Sequence, residues 1–403
     1  TVLEAMALQD DPDAFLTTWS VGDNDKINLA VASDYDNYDY QVDWGDGSPV
    51  EFITEAMAVE HTYAIAGDYQ VAIKGIFPAI IHGSAPGLNL EQTKENAEKL
   101  ISIDQWGNNI WQSMSGAFRF CKNMVYNATD TPNLEEVTGM GSMFSGCSKF
   151  NGDIGNWDVS SVDRMQALFA NAIAFNRDIS DWNVGNVTDM IAMFTGATNF
   201  DQDLSAWGDK LDNVTNMGQM FEGASEFNQD LGNWKVDNVV SMSSMFENAV
   251  SFEGLGLEEW NVGNVTIMRN MFSGATAFDG DIEAWDTGKV TKMAQMFKDA
   301  TAFDRSLGAW DLSSIEPGTD NNNDTESLEG MLDNSGLSKE SFNATLIGWG
   351  NNDKTPDDII LGAEGVTWCG QDALIAKNVI LQTEKGWDIQ GDVYLGFTCE
   401  NFD

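Results

Sequence analysis

The sequence predicts an α/β solenoid, with a short parallel strand and a short helix in each coil of about 25 residues, preceded by a small β-sandwich. Tryptophan recurs at spacings of 25, 25, 27, 26, 25 and 25 residues, and Val, Met, Phe and Ala keep fixed places between tryptophans. Before residue 80, apolar and polar residues alternate, which is the pattern of half-buried strands. The recurring tryptophans are Trp157, Trp182, Trp207, Trp234, Trp260, Trp285 and Trp310.

The composition limits the classes of partner. The 403 residues include 64 Asp and Glu against 20 Lys and Arg, which gives a formal net charge of -44. Such a surface repels phosphate backbones and anionic lipid headgroups. Nucleic acid is therefore disfavoured as a partner. Because the sequence has no apolar run long enough to span a bilayer, we expect no direct membrane insertion.

Residues 1–80 contain the strand pattern and a specific sequence motif. The motif consists of Val42-Asp43-Trp44-Gly45-Asp46-Gly47, then His61-Thr62-Tyr63, then Gly67-Asp68-Tyr69-Gln70-Val71. It resembles the polycystic-kidney-disease (PKD) repeat, a small immunoglobulin-like β-sandwich of cell-surface proteins. The resemblance implies a spacer or interaction module. In this context we expect His61 to be packed and hydrogen-bonded rather than a ligand.

Residues 81–110 are predicted to be a linker and an N-terminal cap. The segment 91–100 has the composition of one short helix, and the apolar residues Leu100, Ile101 and Ile103 predict a strand. A cap is expected because an uncovered first coil would expose an apolar face and a strand edge.

Residues 111–350 are predicted to form the solenoid. In the coil that begins at Trp182, Met190, Met193, Phe194 and Ala197 lie at i, i+3, i+4 and i+7, which predicts one buried face of a short helix. The segment 178–182 is too short for a helix and is predicted to be the strand. A two-residue insertion after Trp207 and a one-residue insertion before Trp260 predict local bulges.

The methionine and tryptophan columns each have two interpretations. A methionine stripe serves either as a promiscuous binding groove or as core, and its fixed register favours core. A tryptophan column is either a stacking platform for sugars or a buried edge that packs one coil on the next. Because every coil has its tryptophan at one register, packing is favoured.

The repeat closely resembles the BspA-like leucine-rich-repeat family, in a variant built on Trp-x-Val-x-x-Val-x-x-Met-x-x-Met-Phe. Further phrases, including Trp44-Gly45-Asp46-Gly47 and Asn127-Ala128-Thr129, extend the resemblance over nearly the whole chain. The resemblance implies a secreted or cell-surface bacterial protein, often adhesive, with no catalytic residues to carry over. It also implies an extracellular or cell-surface location.

After Trp310 the period breaks. Residues 316–327 are rich in Asn and Asp and predict a loop, 342–349 predict a short helix, and 351–403 predict a C-terminal cap. We expect Cys369 and Cys399 to form a disulfide, which would indicate an oxidising compartment. Cys121 and Cys147 occupy equivalent places in adjacent coils, where small core residues are expected in preference to a second bond.

An acidic column is the most specific polar feature of the repeat. A row of weak Ca²⁺ sites or a polar ligand strip is one interpretation, and the Ca²⁺ would then be held by Asp178, Asp203 and Asp230. The other interpretation is that each side chain caps the turn of its own coil by accepting from a nearby backbone N–H. The candidate ligand-binding residues are Asp153, Asp178, Asp203, Asp230 and Asp281.

These observations predict a non-enzymatic adhesin or ligand-binding protein that recognises a protein or glycan on a cell surface or matrix through the solenoid face. No cofactor is expected to be required, although Ca²⁺ is an open alternative. A purely structural spacer within a larger surface protein is a second interpretation. An enzyme acting on polysaccharides is a third, since 64 acidic residues provide many chance carboxylate pairs.

Overall fold

The computed structural model describes residues 7–32, 34–82, 88–317 and 328–399. The chain forms two compact units. The first runs to Val187 and includes Met193–Gln202, and the second includes Thr188–Ala192 and the chain from Asp203 onward. The predicted loop at 316–327 lies outside the described residues from 318 onward.

The N-terminal part of the first unit consists of β-sheets. Its strands are β1 (Phe15–Val21), β2 (Asp25–Leu29), β3 (Asp39–Asp43), β4 (Glu51–Ile53), β5 (Val59–Tyr63), β6 (Gly67–Ile76), β7 (Leu100–Gln105) and β8 (Val125–Tyr126), after a short 3-10 helix at Leu8–Asp10. One six-stranded sheet has the order β4-β3-β6-β1-β7-β8, and β2 pairs with β5 in a second sheet. Because β7 pairs antiparallel with β1 and parallel with β8, the N-terminal sheet leads directly into the first coil.

The region predicted as a linker is therefore partly a strand of that sheet. Helix α1 (Leu90–Ala97) begins with a capping box, in which the Asn89 side chain accepts from the Gln92 N–H and the Gln92 side chain accepts from the Asn89 N–H. The helix ends earlier than the sequence predicted because Leu100 begins β7.

His61 lies flat on the indole ring of Trp44, with ring centroids 4.7 Å apart and an interplanar angle of 6°. Its Nε2 lies 2.8 Å from Oδ2 of Asp46. Burial raises the pKa of the Asp46 carboxyl, but hydrogen bonds from Ser48 and His61 outweigh burial and lower this pKa to about 2. His61 is thus packed and hydrogen-bonded, as the resemblance implied.

This pair predicts an acid-sensitive contribution to stability. Since the folded state lowers the pKa of Asp46 from 3.8 to about 2, the contribution is present above pH ~4 and is lost as the pH falls towards 2. We expect Asp46→Asn to be less stable than wild type at pH 6, with the difference narrowing towards pH 2, in denaturant titrations at each pH. His61→Gln should remove part of the same dependence, and a constant difference between wild type and Asp46→Asn would contradict the assignment.

Each coil contains a run of β-turns whose backbone N–H groups alternate between two kinds of acceptor. Alternate N–H groups of the run 140–147 donate to carbonyl oxygens of the next coil at 2.7–3.0 Å, and those of Met143, Ser145 and Cys147 donate to the residue three places back. The same alternation recurs in the second unit at 242–249. In the first unit the bonds to the next coil are Met140 to Arg164, Ser142 to Gln166, Phe144 to Leu168 and Gly146 to Ala170.

The helix predicted in each coil is therefore replaced by turns, and the described residues 112–317 contain no α-helix. Within the predicted helix, Ala192 has φ 57° and Gly196 has φ 65°, and an α-helix cannot include either. The physical reason is that an α-helix directs every N–H along its own axis. In these coils, alternate N–H groups point outward and bond to the next coil.

The predicted strand at 178–182 is also wrong. The N–H of Ser180 donates to Oδ1 of Asp178 at 2.9 Å and the N–H of Trp182 donates to the carbonyl of Ile179 at 3.1 Å, so both groups serve local turns rather than a strand partner. Parallel pairing occurs instead as single bridges just before the first methionine of the turns. These are Gly139 with Arg164 in the first unit, and Asp189, Asn216, Ser241, Ile267 and Lys292 in succession in the second.

Aromatic columns form the core of the coils. Two phenylalanines of one coil lie with centroids 4.0 Å apart, as in Phe144 with Phe150, and Phe144 stacks on Phe169 of the next coil at 5.8 Å. The methionines of the repeat are buried, which confirms the core interpretation of that stripe. Each tryptophan from Trp234 to Trp310 donates its Nε1–H to a carbonyl of the preceding coil at 2.8–3.0 Å.

The two predicted insertions lie at short 3-10 helices. Ser205–Lys210 forms one at the insertion after Trp207, and Leu257–Glu259 forms the other just before Trp260. The extra residues are absorbed locally, so Trp234 and Trp260 still stack, with centroids 6.4 Å apart.

The C-terminal part of the second unit adds helices and short strands. It contains α2 (Lys339–Gly350), β9 (Ile360–Gly362), β10 (Thr367–Trp368), α3 (Gln371–Leu374), a π-helix at Ile375–Glu384, β11 (Asp388–Gln390) and β12 (Val393–Tyr394). Cys369 and Cys399 are bonded in the structure, whereas Cys121 and Cys147 are buried free thiols. In the described part of the chain, every helix is too short or too polar to cross a membrane.

Candidate functional site

The surface of the coils divides into two kinds of segment. The turn segment is 138–149 and its equivalents, beginning at residues 163, 188, 215, 240, 266 and 291. The acidic segment is 150–162 and its equivalents, beginning at residues 175, 200, 227, 252, 278 and 303. The seven acidic segments hold 19 Asp and Glu against 5 Lys and Arg, whereas the seven turn segments hold 6 against 5. The negative charge of the coils is therefore concentrated on one kind of segment.

In the acidic segments, the first Asn or Asp after phenylalanine links coils. Oδ1 of Asn151 accepts from the N–H of Asn176 at 3.0 Å, and Oδ1 of Asp279 accepts from the N–H of Asp304 at 3.0 Å. Arg305 adds a salt bridge to Asp279 at 3.0 Å. In both cases the side-chain oxygen, rather than a backbone carbonyl, accepts the hydrogen bond from the next coil. Asn151 and Asp279 are only half exposed.

The second column contains the residues that the sequence singled out as candidate ligand-binding groups. All five are exposed, and three cap the turn that follows. Oδ1 of Asp178, Asp203 and Asp230 accepts from the backbone N–H two residues later at 2.8–2.9 Å. The backbone hydrogen bond from Ser180 lowers the pKa of the Asp178 carboxyl. The members of the column are Asp153, Asp178, Asp203, Asp230 and Asp281.

These contacts bear on the Ca²⁺ hypothesis. Oδ1 of each capping aspartate already accepts from a backbone N–H, so part of the capacity of its carboxylate to bind a cation is used. Calcium normally takes 6–8 oxygen ligands. Among the described residues, no group of three or more His, Cys, Asp or Glu is arranged to hold a metal ion.

We expect no Ca²⁺-specific stabilisation from this column. Wild type and the triple variant Asp178→Asn/Asp203→Asn/Asp230→Asn should each melt at the same temperature in millimolar CaCl₂ as in NaCl of equal ionic strength, because both salts screen the -44 charge alike. A cation that bound only the folded state would add about 2.7 kcal/mol at a hundredfold excess over Kd. A rise in Tm that is specific to Ca²⁺ and absent from the triple variant would overturn this expectation.

The tryptophan column is not available as a sugar platform. Every tryptophan from Trp157 to Trp310 is at most 4% exposed. In the second unit, each ring from Trp207 to Trp285 stacks on that of the next coil, with centroids 6.3–6.4 Å apart. The column therefore packs coils together, and ligand contacts must come from other side chains.

The turn segments present small polar side chains. Threonine hydroxyls there donate to carbonyls of the preceding coil, as Thr291 does to Thr266 at 3.3 Å and Thr301 does to Thr276 at 3.4 Å. The backbone groups of the turns are bonded to the next coil or within the turn. This surface therefore offers a low net charge and a regular repeat.

The model of one protein family matches the coils. The family described as "Mycoplasma protein of unknown function, DUF285" matches residues 112–232 and 215–335, which together cover more than half of the chain. No curated protein and no solved structure matches the chain.

Proposed function

We propose that this chain, which belongs to the DUF285 family, is a non-enzymatic ligand-binding or adhesive protein of the cell surface or extracellular space. Its partner is a protein or a glycan, and the turn segments are the recognition surface. The observation that carries this proposal is the division of charge between the acidic and turn segments. An extended ligand can lie across several turn segments of one unit without meeting the concentrated negative charge.

The structural roles of the acidic segments support the same assignment. Their Asn and Asp side chains bond to neighbouring coils or cap local turns. Such residues are expected to stabilise and solubilise the coils. The turn segments repeat the same shape in each coil, so several equivalent weak contacts can add up along one ligand.

Binding to a combined protein and glycan array tests the proposal. Ser145→Glu and Ser273→Glu place a charge on half-exposed sites of the turn segments, in the first and second unit respectively. Ala206→Glu and Ala284→Glu place the same charge on exposed sites of the acidic segments and serve as matched controls. We expect the turn-segment variants to lose array signal and the controls to keep it.

Two results would contradict the proposal. Equal loss in both pairs of variants would indicate a general charge effect rather than a recognition surface. Absence of any signal from wild type at high concentration would favour a purely structural spacer.

A further inference from the structure

We propose that a cleft on the first coils binds a carboxylate-bearing sugar, such as a uronic or sialic acid residue of a glycan. The proposal rests on the proposed function, of which it names one ligand class. The cleft has a volume of about 520 Å³, which is within the range of small-molecule sites. Its walls include Asp34, Tyr35, Ser113, Ser115, Arg164 and Gln166, all within the first unit.

Glycines create the floor of this cleft. Gly141 lines the cleft, and Gly139 lies two residues before it in the same coil. A Cβ atom on Gly139 would lie 2.8 Å from Oγ of Ser115, and one on Gly141 would lie 3.2 Å from Oε1 of Gln166. Most other coils carry side chains at these two places, for example Asp189 and Ile191. The coil 139–142 is therefore a local depression between its two neighbours.

The N-terminal residues close one side of the depression. Asp34 is exposed, and Tyr35 is half-buried with its hydroxyl donating to the carbonyl of Gln112 at 3.4 Å. Arg164 and Gln166 lie on the following coil. A ligand in the cleft would thus meet both an aromatic side chain and a guanidinium.

The cleft is about neutral although the whole chain has a formal net charge of -44, because its lining holds one acidic residue, Asp34, and one cationic residue, Arg164. The turn segments of the first three coils, 112–124, 138–149 and 163–174, contain four cationic residues and one acidic residue, Asp163. The cations are Arg119, Lys122, Lys149 and Arg164. Because the Debye length is about 8–10 Å at physiological salt, more distant carboxylates are screened from an anion in the cleft.

Arg164 is the group that recognises the carboxylate. Its side chain is 58% exposed, and its one ion pair within the described ranges is with its neighbour Asp163, from Nε to Oδ1 at 3.2 Å. The terminal guanidinium nitrogens can bind a ligand carboxylate through two parallel hydrogen bonds.

The remaining walls suit the hydroxyl groups of a sugar. Asp34 accepts hydrogen bonds from hydroxyls, whereas Ser113, Ser115 and Gln166 can both donate and accept. The Tyr35 ring provides an apolar surface for the sugar C–H groups. A simple inorganic anion would leave the Tyr35 ring and the Asp34 carboxylate unused, so these two side chains favour a carboxylated sugar.

Titration of the full chain with defined sugars tests the proposal. The probes are glucuronic acid, N-acetylneuraminic acid, glucose and inorganic phosphate. Ligand-observed NMR and calorimetry measure the binding of each probe. We expect one or both acidic sugars to bind more tightly than glucose and phosphate, and the preferred acid identifies the source of the carboxylate. Arg164→Gln should weaken that binding by about tenfold to a hundredfold, since it removes a charge-assisted pair.

Arg177→Gln is the matched control. It removes the same charge from an exposed arginine in the acidic segment of the same coil and should leave binding within about twofold. Ser115→Leu, which fills the cleft without changing charge, should also weaken binding. Circular dichroism and Tm of each variant establish that it is folded.

The proposal is overturned if wild type binds neither acid, if Arg164→Gln binds as wild type does, or if phosphate binds as tightly as the acids. A protein or neutral-glycan signal on the array without acid binding would overturn the cleft alone and leave the proposed function standing. A third outcome is that the turn-segment variants and the control variants lose array signal alike, while acidic sugars still bind and Arg164→Gln still weakens that binding. This outcome would overturn the turn segments as the recognition surface and would leave the cleft proposal standing.

Discussion

Replacement of Phe194 by alanine is expected to lower the free energy of unfolding by about 3–5 kcal/mol. The ring is fully buried, stacks on Phe200 with centroids 4.0 Å apart, and stacks on Phe169 at 5.6 Å. Its removal leaves a cavity between packed rings, and the turns on either side cannot collapse into it because their backbones are bonded to neighbouring coils.

Denaturant titration followed by tryptophan fluorescence measures this effect. Asn199→Ala, an exposed position in the same coil, is the control and should change the stability by less than about 0.5 kcal/mol. Coincident curves for wild type and Phe194→Ala would show that this column is not part of the core.

Replacement of Lys377 by methionine is expected to cost about 3–5 kcal/mol, because it leaves a buried carboxylate without its partner. Nζ of Lys377 lies 2.6 Å from Oδ2 of Asp392, and the two side chains are only 10% and 4% exposed. Nζ also lies 4.9 Å from the centre of the Trp368 ring, and this cation–π contact is lost as well.

A surface pair provides the control for this prediction. Lys235 and Asp209 are in contact at 2.7 Å with side chains 53% and 85% exposed, so Lys235→Met should lower the stability far less than Lys377→Met does. The double variant Lys377→Met/Asp392→Leu should recover much of the loss, since it removes both buried charges. If Lys377→Met and Lys235→Met lower the free energy of unfolding equally, the prediction is wrong, because the Lys377–Asp392 pair then stabilises the fold no more than a surface pair does.

Sequence reasoning identified the residues of the core but not their backbone. Met190, Met193, Phe194 and Ala197 are all buried, as their spacing predicted. A run of β-turns returns to the same side every three or four residues, as a helix does, so this spacing cannot distinguish the two. The candidate site shows the same limit, because Asp178 and Asn176 differ in role only through the backbone groups that lie beside them.

The sequence by itself determined the repeat, the buried columns, the acidic character of one kind of segment and the strand-forming N-terminal region. These depend on the polarity and order of side chains, which are local properties of the chain. Only the tertiary structure decided that alternate N–H groups of the turns bond to the next coil, that β7 joins the N-terminal sheet, and that Tyr35, Gly141 and Arg164 line one cleft. Each of these features depends on contacts between residues at least twenty positions apart in the sequence. The order of the side chains along the chain does not specify such contacts.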